Sequence, residues 1–390
     1  MSNRFKKARR MEILPVYLFD EVVRLKDKAL GRGVDLIDLG IGDPDLETPQ
    51  HIVGATQEAL NDVRNHHYAS YRGLPELRQA LAQWYRARFE VELDPETEVL
   101  PLIGSKEGIG HVHLAYLNPG DEVLVPDPGY PAYQGGTILA GGTPLSYPLL
   151  KENGFLPDFR ELEKADLSRV RLMHLNFPSN PTATTASIEF FEKAVQFGLK
   201  HNVILCHDAA YSELYFDGTK PLSFLQAKHA KEIGIEFHSL SKTYSMTGWR
   251  LGVAVGNRDI LSGLEAVKSH YDTGIFAVIQ RAGIAALKGD QTHLNEVRKR
   301  FQRRRDLFVE GLMRIGYSVQ RPKATFYIWG EIPVNVSSSD FARRLLEEAD
   351  VVVTPGIGFG RYGEGYFRAA LTVGEARLEE AIERIRKVPF

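Results

Sequence analysis

The chain has 390 residues, 43% of them apolar and 25% charged, a balance that suits a globular protein and excludes collagen-like and disordered classes. Lys plus Arg number 48 and Asp plus Glu 50, a formal net charge of −2, so no global field draws the chain to nucleic acid or an anionic membrane. The single cysteine, Cys206, excludes an internal disulfide and fits a reducing compartment; within "VILCHD" it reads as a small buried hydrophobe.

At the start of the chain, "MSNRFKKARRMEILPVYLFDEV" is basic but lacks the apolar run and cleavage site of a secretory leader, and the expected location is cytoplasmic. Short apolar, β-branched runs then alternate with amphipathic stretches, the pattern of βαβ units around a buried, mostly parallel sheet. The expected fold class is α/β, with strands at 98–103, 122–126, 170–175, 202–207, 233–239 and 250–256. Stretches 74–89, 188–201 and 295–316 read as covering helices. After about Thr292 the texture changes to a long charged helix, a strand in "TFYIW", another helix and a strand in "YFRAALTV", which reads as a smaller α+β domain. The basic run "RKRFQRRRD" winds around that helix with Phe301, Leu307 and Phe308, and reads as a solvated face rather than a nucleic-acid contact.

In open α/β sheets the ligand lies beyond the carboxyl ends of the strands, so residues just after each strand matter most. After the first comes Gly104-Ser105-Lys106-Glu107-Gly108, where backbone N–H groups at a helix start suit a phosphate; the alternative is a plain turn with Ser105 as N-cap. After the second, "PDPGYPAY" fixes Tyr130 between prolines, to stack on a flat ligand or on the protein itself. After the third, "NFPSNPTA" holds Asn180, biased by Pro181 to extended geometry, as a ligand donor or a turn residue. After the fourth, the apolar run 203–206 carries Asp208 toward a buried position, where a carboxylate needs a cation unless it caps a helix; Tyr211 follows one helical turn on.

After the fifth strand comes "HSLSKTYSMTGWRLG", with Lys242 between Ser239, Ser241 and, eight residues on, Arg250. Taken alone, Lys242 is a surface cation. A lysine desolvated near other cations, however, loses its proton readily and forms Schiff bases. A phosphate cradle, a stacking tyrosine, an asparagine, an aspartate and a serine-flanked lysine, on successive strand ends, have one economical reading: a site for pyridoxal phosphate. No metal site is expected.

At these residues the chain resembles the fold-type I, class I/II pyridoxal-phosphate aminotransferases. "SLSKTYSMTGWRLG" looks like their lysine signature, and "SNPT", "DAAYSEL" and "FRAALT" are similar to the segments carrying the asparagine, the aspartate–tyrosine pair and the carboxylate-binding arginine. "LGIGDPDLETPQHI", "LIGSKEGI", "VPDPGYPAY" and "KATFYIW" most resemble the LL-diaminopimelate group within that family. The resemblance implies a mostly parallel central sheet in a large domain, 47–290, and a small domain built from 1–46 plus 291–390.

It further implies that Lys242 holds pyridoxal 5'-phosphate and shuttles the proton, that Asp208 pairs with the ring nitrogen, and that Asn180 and Tyr211 bond the phenolic oxygen. Tyr130 would stack on the ring, while Ser105, Lys106, Ser239, Ser241 and Arg250 surround the phosphate. Tyr68 would reach the phosphate across a homodimer interface, with Tyr71 a rival for that alignment. Arg368 would grip the substrate α-carboxylate, Gly42 would approach it through its backbone, and Tyr17 and Lys106 would meet the far end. Tyr130 and Asn180 border the substrate as well.

The implied activity is amino transfer between an amino acid and a 2-oxo acid, with glutamate and 2-oxoglutarate as one pair. LL-diaminopimelate is the first choice of donor; aspartate, alanine or an aromatic amino acid is the alternative. A Cβ lyase and a non-catalytic regulator are the competing classes. Two departures touch the substrate: Ala183 stands where the family stretch has glycine, and His270 and Tyr271 differ from the diaminopimelate pattern.

Overall fold

A strand buried on both faces needs apolar side chains at successive positions, and the runs above meet that need. In the computed structural model, which describes residues 5–15, 26, 31, 33–333 and 336–389, the strands in chain order are β1 (Ile37–Asp38), β2 (Val99–Leu102), β3 (Glu122–Asp127), β4 (Thr143–Pro148), β5 (Val170–Asn176), β6 (Ile204–Asp208), β7 (Gly234–Ser239), β8 (Gly252–Gly256), β9 (Tyr327–Glu331), β10 (Val351–Val352), β11 (Thr354–Pro355) and β12 (Tyr366–Ala370). Strands β2 to β8 form one sheet in the order β2-β8-β7-β6-β5-β3-β4. Neighbours from β4 to β7 pair in parallel, and β8 runs antiparallel to both β7 and β2.

The expected α/β class with a mostly parallel sheet is therefore present, and all six expected strands lie within two residues of their observed ends. The edge strand β4 was not expected. Its sequence, TPLSYP, carries prolines at its second and last positions and exposes Thr143 and Ser146, a composition that hides strand character but is tolerated at a sheet edge.

Successive side chains of the central strands enter two different cores. Val123, Val125 and Leu172 pack with Cys206, Ile235 and Phe237 on one face; Leu124, Met173 and Leu175 pack with Leu205 and Val253 on the other. The helix Ile188–His201 covers the second face with Phe190, Phe191, Ala194 and Val195. Ser187 starts it by accepting from the Phe190 N–H at 3.3 Å, and Asn202 ends it in the left-handed region.

Strands β11, β12 and β9 form a separate antiparallel sheet, and β1 pairs in parallel with β10. A third core joins them to the helices Thr292–Arg314, Ser338–Ala349 and Glu375–Ile385. The basic run on the first of these corrects the expectation of a solvated face: Arg304 and Arg305 are buried. Each has a carboxylate to meet, Asp45 at 2.7 and 2.8 Å from Arg304 and Asp217 at 3.0 Å from Arg305 Nη2, which is what lets an arginine leave water. No described helix is long and apolar enough to cross a membrane.

Candidate active site

The carboxyl ends of β5, β6 and β7 open into a cavity of about 390 Å³, roofed by β9, β12 and the turn after β1. Its lining includes Gly42, Ser105, Lys106, Tyr130, Asn180, Asp208, Tyr211, Ser239, Ser241, Lys242, Arg250 and Arg368. The structure thus brings together twelve of the fourteen residues singled out from sequence. Tyr68 stands apart, 94% exposed and not in the lining, and Tyr17 lies outside the described residues.

Each side chain arrives there for a local reason. Gly104, at φ 74, precedes the helix Ser105–Tyr116, so glycine rather than Ser105 occupies the N-cap position. A Cβ on Gly104 would collide with the Arg250 guanidinium, so the bare backbone lets that cation lie over the helix start. Glu107 steadies the same turn, accepting from the Ile103 N–H and from Lys268 Nζ at 2.8 Å. Across the sheet, the Asn176 amide donates to the Asp208 carbonyl at 2.8 Å and accepts from the Asn180 N–H at 2.7 Å, tying the ends of β5 and β6 together. The segment after Asp208 is a turn rather than a helix, yet it still carries Tyr211 to the lining.

Asp208 is 6% exposed. It accepts from the Tyr133 hydroxyl through Oδ2 at 2.8 Å and from the Ala210 N–H through Oδ1 at 3.3 Å. Burial pushes its carboxyl up from the ordinary value, and the Tyr133 hydroxyl pulls the other way. A cation in the cavity would offset the cost of burying this carboxylate.

Lys242 sits in the short helix Leu240–Thr243, whose cap Ser239 accepts from the Ser241 N–H at 3.2 Å. The neighbouring Thr243 hydroxyl is held by His238 at 3.2 Å. Lys242 Nζ donates to the Gly42 carbonyl at 2.8 Å. Burial lowers its ammonium to about 8, with Asp43 raising it and Arg368 and Arg250 lowering it further. A lysine so placed is a nucleophilic amine near neutral pH.

The Ser241 Oγ is buried and, among the described residues, has no hydrogen-bond partner. Such a group needs one. With Ser239, the Arg250 guanidinium and the N–H groups at the start of the Ser105–Tyr116 helix, it forms a donor set that fits a phosphate. Phosphate donors, a depressed lysine and a buried carboxylate lining one cavity suit a phosphorylated pyridine aldehyde.

At the other end Arg368 is 1% exposed, donating to Asn180 Oδ1 and to the Gly40 carbonyl, each at 2.7 Å. Ala183, the departure from the family pattern, takes φ 57, so the turn keeps the left-handed geometry that glycine would meet without strain.

Sequence reasoning missed Tyr133, Asn176 and Tyr327. Tyr133 and Tyr327 read as ordinary core aromatics, and only their hydroxyl partners, Asp208 and Tyr211, set them apart. Asn176 is the last residue of β5, and only its bonds to the Asp208 carbonyl and the Asn180 N–H set it apart.

Comparison with known proteins agrees with this geometry. A family model described as aminotransferase class I and II matches residues 34–385. The chain is 53% identical to LL-diaminopimelate aminotransferase of Syntrophobacter fumaroxidans, over 99% of this chain and 100% of that protein. It is 49% identical to the Aquifex aeolicus protein of the same name, over 98% and 99%. Among solved structures, substrate-bound BacF from Bacillus subtilis matches with a TM-score of 0.96 and 39% identity, covering 99% of this chain and 98% of that one. The chain belongs to the class I and II aminotransferase family.

Proposed function

We propose that the chain is a pyridoxal-5'-phosphate-dependent LL-diaminopimelate aminotransferase, exchanging amino groups with the glutamate and 2-oxoglutarate pair. The observation that carries the reading is one cavity lined by a depressed lysine, a buried aspartate and a buried arginine, Lys242, Asp208 and Arg368. Full-length relatives near half identity support the choice of donor.

When bound, the cofactor supplies an electron sink for negative charge at the substrate Cα. The chain does the rest. Ser105, Lys106, Ser239, Ser241 and Arg250 bind the phosphate, while Tyr130 stacks on the ring. Asp208 holds the proton on the ring nitrogen, and Asn180 and Tyr211 donate to the phenolic oxygen. Arg368 forks onto the substrate α-carboxylate, with the Gly42 backbone beside it and Lys106 and Tyr17 toward the distal end. Lys242 would hold the cofactor through Nζ, and that nitrogen would be the base for the substrate Cα proton.

The reading includes a large domain over 47–290, a small domain from 1–46 plus 291–390, a cytoplasmic location, and a homodimer in which Tyr68 of one protomer reaches the partner's phosphate. An aromatic side chain left 94% exposed is consistent with that use.

The test is a coupled assay of purified enzyme with 2-oxoglutarate across a panel of donors. Turnover of LL-diaminopimelate well above that of aspartate, alanine and aromatic amino acids is the expected result. No activity on it, with brisk turnover of aspartate or alanine, rejects the donor. Gel filtration with light scattering tests the dimer.

A further inference from the structure

Tyr327, on β9, is 3% exposed yet lines the cavity, and it touches three residues assigned other roles above. Its hydroxyl lies 3.0 Å from the Tyr211 hydroxyl. The Arg368 guanidinium carbon lies 4.2 Å from the centroid of its ring. A Cβ on Gly42 would land on the Tyr327 hydroxyl, so glycine at 42 is what lets that hydroxyl reach Tyr211. Gly42 in turn offers its carbonyl to Lys242 Nζ at 2.8 Å. One side chain therefore sits between the residue that would bond the phenolic oxygen, the arginine that would hold the carboxylate, and the backbone that meets the lysine.

We propose that Tyr327 is a positioning residue with two separable actions, its hydroxyl on Tyr211 and its ring face on Arg368. The inference rests on the pyridoxal phosphate reading of the cavity. Two hydroxyls 3.0 Å apart share one hydrogen bond, and either can donate. If Tyr211 donates to a phenolic oxygen, its own lone pair is left to accept, so Tyr327 is the donor between them. A phenol that accepts a hydrogen bond becomes a stronger donor, because the bonds polarise one another. The ring face works by different physics. Its quadrupole attracts the guanidinium through the face of the fork, which sets the plane in which that fork would meet a carboxylate. The hydroxyl thus acts at the cofactor end, and the ring at the carboxylate end.

Two substitutions separate them. Tyr327→Phe keeps the ring and removes the hydroxyl; Tyr327→Met removes the ring as well and keeps an apolar side chain of useful bulk. Both are examined in the enzyme loaded with pyridoxal phosphate, by the pH midpoint of the bound cofactor's absorbance, the Kd of 2-oxoglutarate, and the steady-state constants for the amino donor.

Tyr327→Phe is expected to move the absorbance midpoint upward, since a phenolic oxygen that receives weaker donation holds its proton more tightly. It lowers kcat by about tenfold while KM and Kd stay within about twofold, the size of one hydrogen bond lost near the reacting group. Tyr327→Met shows the same midpoint shift and also raises KM and Kd by about tenfold, the size of a desolvated cation–π contact.

An unmoved midpoint with wild-type kcat in Tyr327→Phe overturns the hydroxyl action. Wild-type KM and Kd in Tyr327→Met overturn the ring action. Failure of the wild-type protein to take up pyridoxal phosphate would instead reject the parent reading, so the two failures are distinct.

Discussion

The Tyr133 hydroxyl donates to Asp208 Oδ2 at 2.8 Å, from a helix that begins directly after Tyr130. The helix and its N-cap thus supply both the ring proposed to stack on the cofactor and the donor that fixes the Asp208 carboxylate. The His174 ring lies 4.6 Å from the Tyr133 ring at an interplanar angle of 13°, which holds the phenol in place. Oδ1 keeps only the longer bond from the Ala210 N–H, at 3.3 Å.

The first prediction concerns that bond. Tyr133 pulls the Asp208 carboxyl down against the rise caused by burial, so Tyr133→Phe raises it further. A carboxyl with a higher pKa is protonated over more of the acidic range. The acid limb of pyridoxal phosphate binding is therefore expected to move upward by about one pH unit, equivalent to about 1.4 kcal/mol. Dissociation constants of the apo protein measured across pH check this, and superimposable wild-type and variant profiles would refute it.

The second concerns stability. The folded Asp208 carboxyl lies above its ordinary value of 3.8, so its stabilising contribution is present below the unfolded pKa and is lost as pH rises through the folded one. At neutral pH the apo protein carries this penalty. Asp208→Asn removes it while keeping an acceptor for Tyr133, and the apo Tm should rise at pH 7 by about 1 °C for each kcal/mol of penalty removed. The loaded variant should lose at least about a hundredfold in kcat/KM, because a neutral amide cannot hold a proton on the ring nitrogen. Calorimetry of the apo protein beside a transamination assay tests both halves. A fall in apo Tm contradicts the burial penalty.

The third concerns Lys242. With its ammonium lowered to about 8, it is half neutral at a pH where solvated lysines, near 10.4, are almost fully charged. An uncharged aldehyde with borohydride should therefore label Lys242 of the apo protein first, with half-maximal rate near pH 8. Peptide mass spectrometry reads the site. Labelling of Lys242 only in step with surface lysines would show that burial does not lower it.

Much of this site was legible because α/β sheets place ligands at strand ends, and the sequence marks each strand end with an uncommon residue. Ser105, Tyr130, Asn180, Asp208 and Lys242 could be collected one by one and all line the same cavity. What stayed hidden depends on register and packing between segments remote in sequence. Tyr327 reaches the site only because β9 pairs with β12 so that Arg368 stands opposite Trp329 and the tyrosine lies two residues along on the same face. Arg304 and Arg305 read as solvated cations because their partners, Asp45 and Asp217, are remote in the chain and carry no local signal. Tyr68 stands outside the cavity lining and Tyr17 lies outside the described residues, and the roles proposed for them turn on experiment.

The last prediction tests the departure at Ala183. Its φ of 57 lies in the left-handed region, which costs an L-residue about 1–2 kcal/mol. The turn is closed by two backbone bonds, Ala183 N–H to the Ser179 carbonyl at 3.0 Å and Ser179 N–H to the Thr184 carbonyl at 2.9 Å, so the conformation cannot relax without breaking them. Against the strain stand the methyl, buried at 6% exposure and worth about 0.8 kcal/mol, and the lower unfolded-state entropy of alanine. At such a φ an alanine loses more to strain than the entropy returns, and the buried methyl offsets only part of the difference. Ala183→Gly is expected to stabilise the protein by about 0.5 kcal/mol, and Ala183→Val, β-branched at the same φ, to destabilise it by about 2 kcal/mol or more. Urea denaturation of the three proteins ranks them. A loss of stability on Ala183→Gly would mean that the buried methyl outweighs the backbone strain, and that the alanine is there for its packing.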